Sequence, residues 1–137
     1  MIINKDDIKK QFNKINGFSK YNNITLDKIE DDKVILSCKL NENSLNPLNL
    51  VHGGLIFGIG DNACGVLAFI KGTTAVTVNA NIDYLRPCKG NMIKCIAYPI
   101  KEGKNIGIYK AEIYNDKDEL ASIMTCTYYF LKEENNG

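Results

Sequence analysis

Apolar and polar positions along the chain divide it into two helices and six strands. Apolar residues recur every three or four positions in the helical segments and at every second position in the strands. In chain order, the pattern predicts a helix over 5–16, strands over 24–30 and 33–40, a helix over 55–70, strands over 74–85, 91–100, 105–115 and 119–131, and turns at 101–104 and 115–118.

The strand over 74–85 has a polar face as well as an apolar one. Strict alternation predicts one face of Val76, Val78, Ala80, Ile82 and Tyr84, and an opposite face of Thr77, Asn79, Asn81 and Asp83. The polar face is expected to meet solvent, a wet cleft or a subunit partner.

The helix over 55–70 is apolar on nearly every side, with Asp61 and Asn62 as its only polar side chains. Such a helix belongs in a core. Strands before and after it predict an α+β domain in which a curved antiparallel sheet of five to six strands wraps the helix. A carboxylate in this setting is costly without a partner, so Asp61 is a candidate functional residue.

The length predicts a single domain over 1–137, with an N-terminal helix within 1–17 and a frayed tail at 132–137. Lysine and arginine number 17 and aspartate and glutamate 16, so no net charge points to nucleic acid or a membrane surface. The apolar helix is too short for a comfortable membrane span and carries a charge at its middle.

The five cysteines and the N-terminal residues favour a cytoplasmic protein. An odd count with no Cys-x-x-Cys pair disfavours a disulfide framework and a zinc site. Free thiols are typical of the cytosol, and the first ten residues lack the apolar segment of a signal peptide.

Candidate chemistry lies where the long helix begins, at His52, Gly53 and Gly54. The first N–H groups of a helix have no intrahelical acceptor and lie at the positive end of its dipole. Glycines leave these groups accessible to a ligand oxygen, which suits them to polarise a carbonyl. A Gly-Gly pair alone more often marks a turn, and a single histidine is more often structural, so Asp61 carries more of the argument.

His52 and Asp61 cannot act on the same atom from a single chain. Nine residues of helix separate them by about 13 Å of rise and about 180° of rotation. A joint site therefore needs a second subunit, with the helix start of one chain facing Asp61 of the other.

The segment NPLNLVHGGLIFGIGD, residues 46–61, resembles the signature of hotdog-fold acyl-CoA thioesterases, nearest to the phenylacetyl-CoA thioesterases and related proteins with a His-Gly-Gly motif. The segment VTVNANIDYLRP, residues 76–87, is similar to the strand after that family's central helix. The resemblance covers about residues 20–131. It implies a hotdog fold, a homodimer with joined sheets, often a homotetramer of two dimers, and hydrolysis of an acyl-CoA thioester with no metal or cofactor.

The resemblance also implies roles for residues of the motif. The Gly54 N–H would polarise the thioester carbonyl, with Gly53 beside it in the same turn. His52 would position the thioester end of the ligand. Asp61 of the partner chain would act on water as a general base, or would itself attack as a nucleophile.

The resemblance assigns roles to further residues, because they match functional positions of the family. Asn46 would orient the water or the motif loop, and the family's assisting hydroxyl falls near Thr77, or near Asn79 if the loop before the strand aligns differently. Candidate CoA-binding residues, most of them cations suited to phosphates, are Arg86, Pro87, Lys89 and Lys104. Side chains that would line the acyl pocket, or belong simply to the core, are Phe57, Val66 and Phe69.

Two other functions stay open for this sequence. A non-catalytic acyl-CoA sensor would use the same fold, but the residues before the core are too few for the DNA-binding domain that such regulators carry, and the presence of Asp61 argues against it. A hydratase or dehydratase of acyl-CoA would pair a histidine with a carboxylate at a different spacing and without the His-Gly-Gly motif.

Overall fold

A six-stranded antiparallel sheet wraps one long helix in the computed structural model, which describes residues 4–72 and 74–132. The helices are α1 (Lys5–Lys14), α2 (Phe18–Tyr21) and α3 (Gly53–Gly72), and a 3-10 turn spans Glu42–Ser44. The strands are β1 (Ile24–Ile29), β2 (Val34–Lys39), β3 (Ala75–Tyr84), β4 (Met92–Glu102), β5 (Ile106–Tyr114) and β6 (Leu120–Phe130). The predicted α+β class, with a sheet around a central helix, is confirmed.

Each predicted helix and strand is present, with both ends within two residues of the prediction. The pattern missed α2 and the 3-10 turn, which are too short for a periodic signal. The turn predicted at 101–104 is wrong in its first half, because a bulge after Pro99 lets β4 resume pairing through Lys101 and Glu102. Of the predicted tail at 132–137, residues 133–137 lie outside the described residues.

The sheet order is β1-β2-β4-β5-β6-β3, so β1 and β3 are its two edges. Helix α3 lies against the inward face of the sheet, where small buried side chains such as Ala97 and Ala111 leave room for it. The helix approaches β6 closely at Gly60, where a Cβ would overlap the Met124 sulfur. Helix α3 is long and apolar enough to cross a membrane by length and composition alone, but here the sheet covers many of its apolar side chains.

Edge strand β3 pairs with β6, and its register shifts between Thr77 and Asn79. Val78 is therefore the extra residue of a β-bulge. Thr77 faces inward before the bulge, and Ala80 and Ile82 pack against the core after it. The predicted single apolar face and single polar face are wrong for this strand, because one extra residue moves every later side chain to the opposite face.

The N-terminal segment is fastened to the domain at two places. The Asn13 side chain donates to the Leu26 carbonyl at 3.1 Å and accepts from the Leu26 N–H at 2.9 Å, which joins α1 to the edge strand β1. The Ser19 hydroxyl donates to Asn62 Oδ1 on α3 at 3.1 Å. Helices α1 and α2 are thereby held against both the sheet and the central helix.

All five cysteines are buried as free thiols, and burial raises the pKa of Cys38 to about 11 and that of Cys88 above its usual value. A buried, protonated thiol reacts slowly. We expect dithiobisnitrobenzoate at neutral pH to label fewer than about one thiol per native chain within minutes. The denatured chain should release the signal of all five. Rapid labelling of the native chain would contradict this burial.

Candidate active site

The loop before α3 is closed by Asn46. Its side-chain oxygen accepts from the N–H groups of Leu48 at 2.9 Å and of Leu50 at 3.2 Å. Two residues after Leu50, the His52 N–H donates to the Ser44 carbonyl at 2.8 Å. These bonds fit the second of the two roles inferred for Asn46, which is support of the motif loop.

Helix α3 begins at Gly53, and His52 caps it. The Gly54 N–H donates to His52 Nδ1 at 2.8 Å, whereas the Gly53 N–H has no acceptor within the described ranges 4–72 and 74–132. The resemblance implied that the Gly54 N–H meets the substrate carbonyl, but that group is engaged within the chain. The N–H open to a ligand oxygen at the positive end of the helix is that of Gly53.

The end of β3 lies beside this helix start. The Tyr84 hydroxyl donates to the Gly53 carbonyl at 2.8 Å, and the Val51 N–H donates to the Cys88 carbonyl at 3.0 Å. The segment after β3 is thereby held against the motif. The candidate CoA-binding residues that are exposed on it are Arg86, Pro87 and Lys89.

The cationic candidates fall in two separate places. Arg86 forms an ion pair with Glu119 at 3.0 Å near the start of α3. Lys104 instead lies with Lys71 and Lys132 around a different cleft, where α3 ends. Within one chain, Lys104 is therefore not part of the same cationic group as Arg86.

Asp61 is partly buried on α3, and two hydroxyls reach its carboxylate. Tyr128 Oη lies 2.7 Å from Asp61 Oδ1 and 2.9 Å from the Asp61 carbonyl oxygen, and it donates to one of them at a time. Thr77 Oγ1 donates to Oδ1 at 3.2 Å. Burial raises the pKa of Tyr128 well above its usual range, and the Asp61 charge raises it further, so the phenol stays a donor.

Tyr128 is a site residue that the sequence analysis missed. Alternation along β6 places it on the inward face together with Cys126 and Phe130. A second signal is Gly65, one helical turn after Asp61, where a Cβ would lie 3.3 Å from Tyr128 Oη. Only the packing of α3 against β6 shows that these two signals concern the same contact.

Thr77, and not Asn79, lies at the carboxylate. The bulge turns Asn79 to the outer face of β3, where its side-chain oxygen accepts from the Asn81 amide at 2.8 Å. The one inserted residue, Val78, therefore places Thr77 rather than Asn79 beside Asp61.

A cleft of about 410 Å³ opens beside Asp61, between α1 and α3. Apart from Asp61, Thr77 and Tyr128, its lining is mostly apolar: Ile8, Gln11 and Phe12 from α1, Ile15 directly after that helix, and Asn62, Gly65, Val66 and Phe69 from α3. Val66 and Phe69 line it as predicted for an acyl pocket. Phe57 does not line the cleft, because it lies one helical turn before Asp61 and packs against the core.

The Asp61 group and the His52 group lie at opposite ends of β3. Thr77, beside Asp61, precedes Tyr84, beside Gly53, by seven residues, which is about 23 Å of strand. One chain therefore keeps the two groups apart, in agreement with the helix arithmetic. A site that uses both needs the second half from another copy.

The fold and these two half-sites define a class of enzyme. Residues 48–122 match the model of the thioesterase superfamily, which is more than half of the chain. The chain belongs to this superfamily. The predicted family, the hotdog-fold thioesterases, and the predicted class of enzyme, a thioester hydrolase, are confirmed.

Individual relatives agree with this assignment. Human acyl-coenzyme A thioesterase 13 is 33% identical over 95 residues, which are 67% of this chain and 68% of that protein. Acyl-coenzyme A thioesterase PaaI of Escherichia coli is 26% identical over 96 residues, or 69% of each chain. Among solved structures, a thioesterase from Haemophilus influenzae has a TM-score of 0.85 at 18% identity, covering 98% of this chain and 97% of its own. That likeness supports the fold.

Proposed function

We propose that the protein hydrolyses acyl-CoA thioesters to a free acid and CoA, at sites that two copies of the chain form together. The observation that carries this proposal is the partly buried carboxylate of Asp61, held by two hydroxyls beside an apolar cleft. The relatives named acyl-coenzyme A thioesterases support the choice of substrate. The mechanism assigns each of these groups to the atom on which it acts.

Hydrolysis needs an activated water and a polarised carbonyl. Asp61 takes a proton from water as the oxygen attacks the thioester carbon, and the charge that develops on the carbonyl oxygen is stabilised by the partner's Gly53 N–H. When the tetrahedral intermediate collapses, the carbon–sulfur bond breaks. The departing sulfur takes the proton that Asp61 accepted from water, so CoA leaves as a thiol. Attack by Asp61 itself, through an anhydride that water then opens, gives the same products.

Tyr128 and Thr77 orient the carboxylate in this scheme. Both donate to Oδ1, so the second oxygen, Oδ2, is left to accept from water. A carboxylate fixed by donors on one oxygen presents the other in a defined direction, which favours productive attack geometry. His52, bonded through Nδ1 to Gly54, holds its ring at the helix start, where the thioester end of the ligand would lie.

The edge strand β3 gives the two half-sites a way to meet. Among residues 4–72 and 74–132 no strand pairs with its outer edge, and Val76 and Val78 on it are exposed. If two copies pair antiparallel about a two-fold axis near Ala80, the Thr77 end of one strand lies opposite the partner's Tyr84. Asp61 of one chain and Gly53 of the other then face the same space.

Oligomers larger than a dimer, the CoA contacts and the location are part of the same proposal. Ile35 and Ile96 are half-buried neighbours on the outer face of the sheet, which favours a tetramer of two dimers.

The CoA phosphates would meet Lys89 and Arg86 beside the motif. Buried free thiols favour the cytoplasm as the compartment.

The proposal is tested by a continuous thiol-release assay on the purified protein. The substrates are a panel of short, medium, long and aryl acyl-CoA thioesters. Release of CoA that rises with enzyme concentration is the expected result. Tight acyl-CoA binding with no CoA released over hours would instead identify a sensor, and loss of the conjugated absorbance of an enoyl-CoA would identify a hydratase.

The assigned carbonyl donor can be removed without breaking the helix. Proline is favoured at the first position of a helix and lacks an N–H, so Gly53→Pro removes the one group in question. We expect kcat to fall about 100-fold or more, as for the loss of one oxyanion donor.

The matched control is Gly53→Ala, which keeps the N–H and places a Cβ at the same point, 3.3 Å from the Tyr84 ring. We expect it to retain activity within about tenfold of the parent, since the hydrogen bond to the carbonyl is still available. Equal losses in the two variants would mean that crowding against Tyr84, and not the missing N–H, lowers the rate.

A further inference from the structure

We propose that helix α1 forms the outer wall of the acyl pocket and restricts the substrate to neutral, apolar acyl groups that fit the cleft between α1 and α3. The inference rests on the proposed function and names its substrate class. It makes Phe12 and Ile15 residues that determine specificity without touching the reacting atoms.

The cleft is continuous with the reacting group. The lining residues of α3 run from Asp61 to Phe69, which is about 12 Å along the helix. The opposite wall runs from Ile8 on α1 to Ile15, which directly follows the end of that helix, a distance of about 10 Å. An acyl chain whose carbonyl lies at Asp61 would therefore extend between two helices over about two turns of each.

The lining sets the chemistry of the occupant. Within the described residues, the cleft has no cationic side chain, and its one charged group is the Asp61 carboxylate. An acyl group that ends in a carboxylate would find no counter-ion and would be repelled by Asp61. A hydrocarbon or aryl group would instead contact Phe12, Val66 and Phe69.

The wall is fixed, so it can limit size. Asn13 fastens α1 to the backbone of β1 through two hydrogen bonds, and Lys5 forms an ion pair with Asp31 at 2.7 Å. Ser19 on α2 then bonds to Asn62 within the cleft lining itself. Helix α1 also precedes residues 48–122, the part that matches the superfamily. The α3 wall, from Asp61 to Phe69, lies within that part.

The test compares Phe12→Ala with the parent on a series of straight-chain acyl-CoA substrates from butanoyl to dodecanoyl. We expect the ratio of kcat/KM for dodecanoyl to that for butanoyl to rise about tenfold, since the pocket gains room for several methylenes. A thermal unfolding curve shows whether the variant is folded, and the ratio of two substrates on one variant cancels any loss of activity common to both. Ile15→Ala, at a position that is 63% exposed and safe for folding, should shift the ratio in the same direction.

The matched control is Lys10→Ala, on the face of α1 turned away from the cleft, for which no shift is expected. A second comparison uses succinyl-CoA against butanoyl-CoA, which share a four-carbon acyl chain and differ in charge. Succinyl-CoA should be hydrolysed at least about 100-fold less efficiently by the parent. Equal rates for these two substrates, or an unchanged chain-length ratio in both cleft variants, would overturn the proposal.

Binding separates this inference from the proposed function. S-Octyl-CoA, a thioether that cannot be hydrolysed, is titrated into the parent and into Phe12→Ala. If the parent hydrolyses nothing but binds S-octyl-CoA more tightly than CoA, and Phe12→Ala changes that difference several-fold, the pocket is supported and the hydrolase is not. If the octyl group adds no affinity, or if Phe12 has no influence on it, the pocket assignment is wrong whatever the hydrolase activity.

Discussion

Asp61→Asn is expected to lower kcat for acyl-CoA hydrolysis by about 1,000-fold or more, with little effect on stability. Asparagine has the same shape, and its Oδ1 can still accept from Tyr128 and Thr77, so the carboxylate's neighbours keep their hydrogen bonds. What is lost is the negative charge that takes the proton of water or attacks the thioester. The measurement is the thiol-release assay with saturating substrate, beside a thermal unfolding curve.

Asp32→Asn is the matched control. This carboxylate is exposed in the turn between β1 and β2, away from the cleft and from the edge strand β3, and its neutralisation should leave kcat within about twofold. An Asp61→Asn variant that is folded and keeps a tenth or more of the parent rate would show that Asp61 neither deprotonates water nor attacks, and the proposed mechanism would have to be given up.

The fold could be predicted from the sequence because its main elements carry strong periodic signals. The helix that begins at Gly53 is apolar nearly all round, and five of the six strands keep their alternation wherever pairing is regular. In the sixth strand, β3, the prediction of the two faces fails at Val78, the bulge residue. The bulge depends on how β3 and β6 fit around α3, so the alternation of residue types along β3 does not reveal it. The same bulge decides which of Thr77 and Asn79 reaches Asp61.

The candidate site could be predicted only in part, for a related reason. Asp61 was identified because a carboxylate on an apolar helix is conspicuous by itself. Tyr128 was missed because its hydroxyl has meaning only beside Asp61, which is 67 residues away in sequence. The engagement of the Gly54 N–H, which leaves the Gly53 N–H as the proposed donor to the carbonyl, depends on the rotamer of His52, and no motif specifies a rotamer.

The proposed mechanism places the Asp61 half of the site in one chain and the His52 half in another, and two requirements account for this division. A helix start offers an open N–H only at its first residues, while a half-buried carboxylate needs donors from strands that cross the middle of the helix. In α3 the open N–H of Gly53 and the carboxylate of Asp61 are eight residues apart, about 12 Å along the helix, so one chain does not bring them to the same atom. The proposed antiparallel pairing of β3 with its copy would resolve this, since it exchanges the two ends of the strand.

A hybrid dimer should therefore recover activity that both of its parent variants lack. Asp61→Asn chains and Gly53→Pro chains are co-expressed with different tags and isolated through both tags. In each hybrid, one site carries both lesions, and the other combines an intact Asp61 with an intact Gly53 from the partner. We expect about half of the parent activity per dimer, from variants that each have about 1% or less.

The control hybrid joins Asp61→Asn with Tyr128→Phe, two lesions on the same side of the site. Here each site takes its Asp61 and Tyr128 from one chain, so one site lacks the carboxylate and the other lacks the tyrosine that orients it. Its activity should not exceed half that of Tyr128→Phe alone, whereas the first hybrid should exceed the sum of its parents many times over. If the Asp61→Asn and Gly53→Pro hybrid stays as inactive as its parents while remaining dimeric, each chain must complete its own site. The pairing of β3 with its copy would then have no role in forming the site.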